Sequence, residues 1–416
     1  MKKSALEIKA IIRNKLETSD LILWGYTDTA KEFYQENKER YHISGCVTEQ
    51  RKHPEYLDEE QTIPIVEWEK YVSGDKDYVI IFASPFVPVE NQILASGLQI
   101  FEEYVDANLM KAVLSDKKIA IIAGACQVAV ISYFLKQLPC FTDEYQSFSF
   151  STHHWKSRWS LKSLSYLKNL CDVYICMKHE EGNIKYFSPD ELPETCKIIT
   201  VPYILSRLYW PQMKPNWEKA LNEYYMQDRS VIGHGPFEYG DSNINRMMRE
   251  GKDVEEIVRT LTSDDFYPEE RVQTHIDSAL RILEYTEDEC DVKVSRYIRE
   301  NYKDRMLYWD MAHPDHQIIW EIILQLLDVL RIDVSEELRR QIRNNEVNMP
   351  SYDRHCTVVP VYPSVAKHMG LHWWEGIDMK YDVRFYDGIR RLTFEEYIRS
   401  YYDVCSKFMD IFEAWK

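Results

Sequence analysis

The sequence runs to 416 residues, beyond the roughly 250 to 300 at which one hydrophobic core stops growing, so two domains are expected. With 45% hydrophobic and 29% charged residues it is a folding chain rather than a disordered one. Its 51 basic and 68 acidic residues leave a net charge of −17, which repels phosphate backbones and anionic lipid over most of the surface and excludes nucleic acid as a partner.

The first residues, MKKSALEIKAIIRNKL, are basic but lack the apolar stretch and small-residue cleavage site of a secretion signal, and they read as an amphipathic helix. Short apolar runs at 21–25, 41–47, 77–84 and 98–104 then read as strands, with helical segments at 27–38, 66–72 and 89–95 between them. That alternation predicts a parallel sheet covered by helices, a Rossmann-like domain over residues 1–112. A connecting helix at 106–115 leads to KKIAIIAGACQ, whose unbroken apolar run predicts a strand buried on both faces, followed by helical periodicity at 128–138. Further strands are expected at 145–150, 171–177 and 196–201, so residues 113–416 form a second α/β domain with its own sheet.

Beyond Pro211 the pattern turns helical, at 217–226, 242–250, 254–261, 269–285, 292–302, 316–330, 335–344 and 394–415. Asp241 and Asp253 stand at N-cap positions, and Thr393 with Glu396 spells a capping box. The last helix is long and amphipathic enough to pack across domains or between subunits, which leaves a homo-oligomer open. Nine cysteines without CxxC or CxxH spacing fit a reducing cytoplasm, and no apolar run approaches the roughly 20 residues that span a bilayer.

Gly25-Tyr26-Thr27 lies where a dinucleotide fingerprint would fall, with Glu49 at the end of the next strand in reach of a ribose. Thr27 replaces the glycine that would let the backbone approach a pyrophosphate, so a scaffold domain without nucleotide is expected. This stretch, with IPIVEWEKY after it and DYVIIFAS beyond, is similar to the sugar-nucleotide-type Rossmann modules often joined to bacterial surface-polysaccharide enzymes.

Gly124-Ala125-Cys126-Gln127 follows a buried strand and precedes a helix, at the carboxyl edge of the sheet where α/β proteins bind ligands. A helix mouth stabilises a thiolate, the amides of the turn can hold an oxyanion, and the Gln127 amide adds a donor. Cys126 is therefore either a nucleophile or a packed core thiol. His313 sits on a loop before a helix, where it is a base oriented by Asp310 or Asp315, or an exposed residue beside a capping Asp315. His153, His154, Lys156 and Arg158, with Trp155, form a basic aromatic segment able to cradle an anion or a sugar, or a solvated loop. His234, between Gly233 and Gly235, is a further candidate. None of these histidines has zinc-ligand spacing, so no metal is expected. The 29 Tyr and 11 Trp suit stacking on sugars as well as core filling.

Several segments, in order, resemble the WcbI-like family of capsule-polysaccharide biosynthesis proteins: IAIIAGACQ, VPYILSRLYWPQ, GDSNI, EEIVRTLTSDDFY, CDVKVSRYIRENY, the His-Pro element at His313, and PVYPSVAKHMGL. The similarity spans residues 117–375. It implies a bacterial transferase that moves an acetyl group from acetyl-CoA to a sugar hydroxyl, with Cys126, Gln127 and His313 carried over as catalytic and coenzyme A as cofactor. Ala125 stands where the family has Asn, removing an amide from the turn. A glycan esterase using the same site with water, and a non-catalytic glycan-binding or assembly protein, are the alternatives.

Overall fold

In the computed structural model the described residues are 4–48, 53–71, 77–82, 97–151, 161–178, 191–213, 237, 240–344, 346, 357–385 and 388–406. They form two compact units, Met1–Ile199 and Thr200–Lys416. The helices expected at 89–95 and 217–226 lie outside the described residues.

The first unit opens with α1 (Ala5–Thr18), started by a capping box between Ser4 and Glu7 and burying Ile8, Ile12 and Leu16. Then come β1 (Asp20–Trp24), α2 (Asp28–Asn37), β2 (Ile43–Thr48), β3 (Ile65–Glu67), β4 (Asp77–Ile81) and β5 (Tyr104–Asp106). These strands build a parallel sheet in the order β3-β2-β1-β4-β5, the arrangement of a doubly wound sheet. Asp106 caps α3 (Ala107–Leu114), accepting from the amides of Asn108 and Leu109. A second sheet follows from β6 (Lys118–Gly124), α4 (Gln127–Lys136), the single turn α5 (Pro139–Thr142), β7 (Tyr145–Ser151), α6 (Leu161–Asn169), β8 (Cys171–Lys178) and β9 (Lys197–Pro202). Its order is β7-β6-β8-β9, and β6 pairs in parallel with both neighbours.

Both central strands are apolar because both faces are covered: Leu21, Leu23 and Trp24 in β1, and Ala120, Ile121, Ile122 and Ala123 in β6, are all sealed from solvent. Each fully buried Leu or Ile contributes about 1.5 to 3 kcal/mol. A single apolar cluster runs from Leu21 and Ile80 through Val105 and Leu109 to Ile121, Phe148 and Tyr174, which is why both sheets fall within one unit.

Two segments depart from the expectation. Residues 66–72, read as helical, instead supply β3, paired beside β2, and a turn of 3₁₀ helix at Trp68–Lys70; pairing at the sheet edge and the stacking of Trp68 on Trp24 at 3.8 Å outweigh a weak helical period. The strand expected at 98–104 starts only at Tyr104, because Phe101 takes a left-handed turn (φ 71°) that drops its ring into the core.

The second unit is mostly helical: α7 (Ser242–Arg249), α8 (Val254–Leu261), α9 (Glu269–Glu287), α10 (Ser295–Asn301), α11 (His316–Leu330), α12 (Glu336–Arg343), α13 (Pro363–Met369), the antiparallel hairpin β10 (Tyr381–Phe385) and β11 (Gly388–Leu392), and α14 (Phe394–Ser406). The expected caps form: Asp241 on α7, Asp253 on α8, and Thr393 with Glu396 before α14. α11 buries nine of its residues, including Trp320 and Leu327, along a broad apolar face. Asp241 is fully buried and ties three elements. Its carboxylate accepts from the amides of Asn243 and Ile244 and from the Tyr362 hydroxyl at 3.0 and 2.8 Å, while its own amide donates to the Tyr401 hydroxyl. Burial pushes this carboxyl up to about 6 despite the hydrogen bonds that hold it down. No helix among the described residues is long and apolar enough to cross a membrane.

Candidate active site

The second sheet reverses direction at its middle. From β6 the chain crosses to β7 on one side, and from β8 it continues to β9 on the other, so the crossover lies between β6 and β8. Outside the carboxyl ends of two such strands the flanking connections diverge and leave a crevice. Gly124, Ala125, Cys126 and Gln127 stand at the carboxyl end of β6, on the turn joining it to α4.

Gly124 is dictated by its neighbours. A Cβ on it would lie 2.5 Å from the Cβ of Met177 on β8 and 2.8 Å from Cγ1 of Val128 on α4, so only a residue without a side chain lets the strand end this close to both. Ala125 and Gln127 turn inward and are buried, whereas Cys126 between them is exposed. The turn is already helical: Cys126 has φ −52° and ψ −33°, the Val128 amide donates to the Ala125 carbonyl at 3.1 Å, and the Ala129 amide to that of Cys126 at 3.0 Å. The thiol therefore stands at the mouth of α4, where the helix dipole favours a thiolate. It is not the packed core residue that was the alternative reading. By contrast, Cys171 and Cys405 are buried, and burial pushes both thiols up.

His313 belongs to the second unit, on the loop before α11. The loop is closed by an isolated bridge between Tyr308 and Pro314, with the Trp309 amide donating to the His313 carbonyl and the Asp315 amide to that of Leu307. Asp310, only 3% exposed, is held at its centre, its Oδ1 accepting from the amides of Ala312 and His313. The Nδ1 of His313 lies 2.8 and 2.7 Å from the two oxygens of Asp310. A carboxylate so placed takes the Nδ1–H and leaves Nε2 as the basic nitrogen of a half-buried ring. Asp315, the other candidate orienter, is occupied elsewhere: it caps α11 through the Gln317 amide and pairs with Nδ1 of His316 at 3.0 Å.

His153, His154, Lys156, Arg158 and His234, like Glu49, lie outside the described residues. No group of His, Cys, Asp or Glu able to hold a metal ion occurs among the described residues.

No curated protein matches the chain. A solved structure of WcbI, described as a novel polysaccharide biosynthesis enzyme and as the native protein without a disulfide bond between coenzyme A and one of its cysteines, superimposes with a TM-score of 0.50. The identity is 17%, and the match covers 69% of this chain and 89% of that one, a likeness of fold. The model of the family described as polysaccharide biosynthesis enzyme WcbI matches residues 119–335, from the first buried residue of β6 through the thiol turn and the Asp310–His313 loop to the end of α11 and beyond. Because that match covers more than half of the chain, the protein belongs to the WcbI family of polysaccharide biosynthesis enzymes.

Proposed function

We propose that the protein transfers an acetyl group from acetyl-CoA to a sugar hydroxyl of a surface polysaccharide or its precursor, in the cytoplasm of a bacterium. The observation that carries this reading is the exposed thiol of Cys126 at a helix mouth on the crossover of the sheet. In the first half-reaction the Cys126 thiolate attacks the acetyl carbonyl carbon, the bond from that carbon to the coenzyme A sulfur breaks, and the departing thiolate takes up a proton. The amides of the turn, with the amide of Gln127 held away from water, stabilise the oxyanion. In the second, a base removes the proton of the sugar hydroxyl as its oxygen attacks the acetyl-enzyme, and the Cys126 thiolate leaves. His313 is assigned that role through Nε2, with Asp310 fixing its tautomer. The solved WcbI relative, described in terms of coenzyme A and a cysteine, supports the cofactor assignment. The family's polysaccharide chemistry supports the acceptor class.

The test is release of coenzyme A thiol when purified protein meets acetyl-CoA and sugar acceptors. Cys126→Ala is expected to lose at least about 100-fold and His313→Ala about 100- to 10,000-fold. Activity unchanged in Cys126→Ala removes the thiol from the mechanism. A second reading, a glycan esterase, is favoured by the openness of Cys126 to solvent, since water can then be the acceptor. Acetate release without any dependence on coenzyme A would select it.

A further inference from the structure

The turn after β1 leads into a cleft of about 590 Å³, lined by α2 and the loop between β2 and β3 and within the size range of small-molecule sites. Tyr26, directly after Gly25, forms one wall together with Lys31 and Gln35 of α2, and the loop carrying Tyr56 and Glu59 forms the other. We propose that this cleft binds an uncharged stretch of glycan, apart from the thiol turn and without need of Cys126.

Anions are turned away by what occupies the phosphate position of such folds. Thr27 replaces the open backbone with a side chain that accepts from the Ala30 amide at 3.2 Å, and Asp28 places a carboxylate in the first turn of α2. Asp58, Glu59 and Glu60 add negative charge on the facing loop. What remains is the chemistry of sugar recognition, aromatic faces beside planar polar groups. Gln35 and Glu59 line the cleft as exposed residues, and their amide and carboxylate are the groups that suit sugar hydroxyls. Lys31 sits 4.3 Å from the ring centroid of Tyr26 and holds that ring at the cleft.

The opposite wall is built in advance. Asp58 ties its loop together by accepting from the amides of Thr62 and Ile63 at 3.0 Å each. The Leu57 amide donates to the Ile63 carbonyl, and Tyr56 bridges to Pro64. Tyr56 is thus presented by a loop whose ordering costs nothing further when a sugar arrives.

The experiment titrates the full-length protein with uncharged tetrasaccharides of glucose, galactose and mannose, and with UDP-glucose as the charged comparator. The readouts are calorimetry and saturation-transfer NMR. At least one neutral tetrasaccharide is expected to bind saturably, about fivefold to tenfold more weakly in Tyr56→Ala and unchanged in Tyr56→Phe, which keeps the ring. Cys126→Ala should bind it as the wild type does, so a failure of the transferase reading leaves this result standing. An unaltered thermal midpoint in Tyr56→Ala certifies its fold. The proposal is overturned if no tetrasaccharide binds, if UDP-glucose binds more tightly than all of them, or if binding ignores Tyr56→Ala.

Discussion

A methyl group at position 124 has nowhere to go. Because the obstructing atoms are the Cβ of Met177 and a methyl of Val128, Gly124→Ala is expected to cost about 1 to 3 kcal/mol in urea denaturation. Met177→Ala should not rescue it, since the nearest clash is with an atom that alanine keeps. The strand-turn-helix around Cys126 was legible from the sequence because an apolar run, a glycine and a helical period meet there. The reason for the glycine was not, because Met177 is distant in sequence and only the pairing of β6 with β8 brings it close. Likewise, residue types alone left Asp310 and Asp315 equal as partners of His313. The folded loop separates them by giving Asp315 to the helix cap and Asp310 to the ring. Asp310→Asn should therefore lower kcat by one to three orders of magnitude with little change in KM for acetyl-CoA, whereas Asp315→Asn should leave kcat within about threefold.

Elements were read best where one period dominates, as in β6 and α11, and worst where packing overrides a weak one, as at Trp68 and Phe101. The buried node joining α7, α13 and α14 could not be foreseen, because Asp241 announces itself only as a cap. Its folded pKa of about 6 lies above the ordinary 3.8, so its share of stability is full below about pH 4 and is lost as the pH rises through 6. Asp241→Asn keeps an oxygen for the cap and removes the titration. Relative to wild type, it should gain up to about 3 kcal/mol between about pH 4 and pH 7, measured by urea unfolding at both. At the far end of α11 the chain leaves through Arg331 in the left-handed conformation (φ 60°), which a side chain resists. Arg331→Gly is accordingly expected to stabilise by about 0.5 to 1 kcal/mol, read as a higher thermal midpoint.

Taken whole, the molecule is an anion that is proposed to use an anionic cofactor. With a net charge of −17, long-range repulsion slows the approach of acetyl-CoA. Association should therefore quicken as ionic strength rises from about 10 to about 150 mM, by stopped-flow measurement. A rate that falls instead would show a local basic patch governing entry. The sequence allowed two sheets to be counted; it did not reveal that a shared apolar cluster would gather both into one compact unit while the helical remainder forms the other. Within that first unit, β6 is clasped by β7 along all seven of its residues and by β8 along its other edge. The Cys126 sulfur thus stands at the tip of a strand gripped on both edges, an anvil whose position is set by the sheet rather than by the turn that carries it.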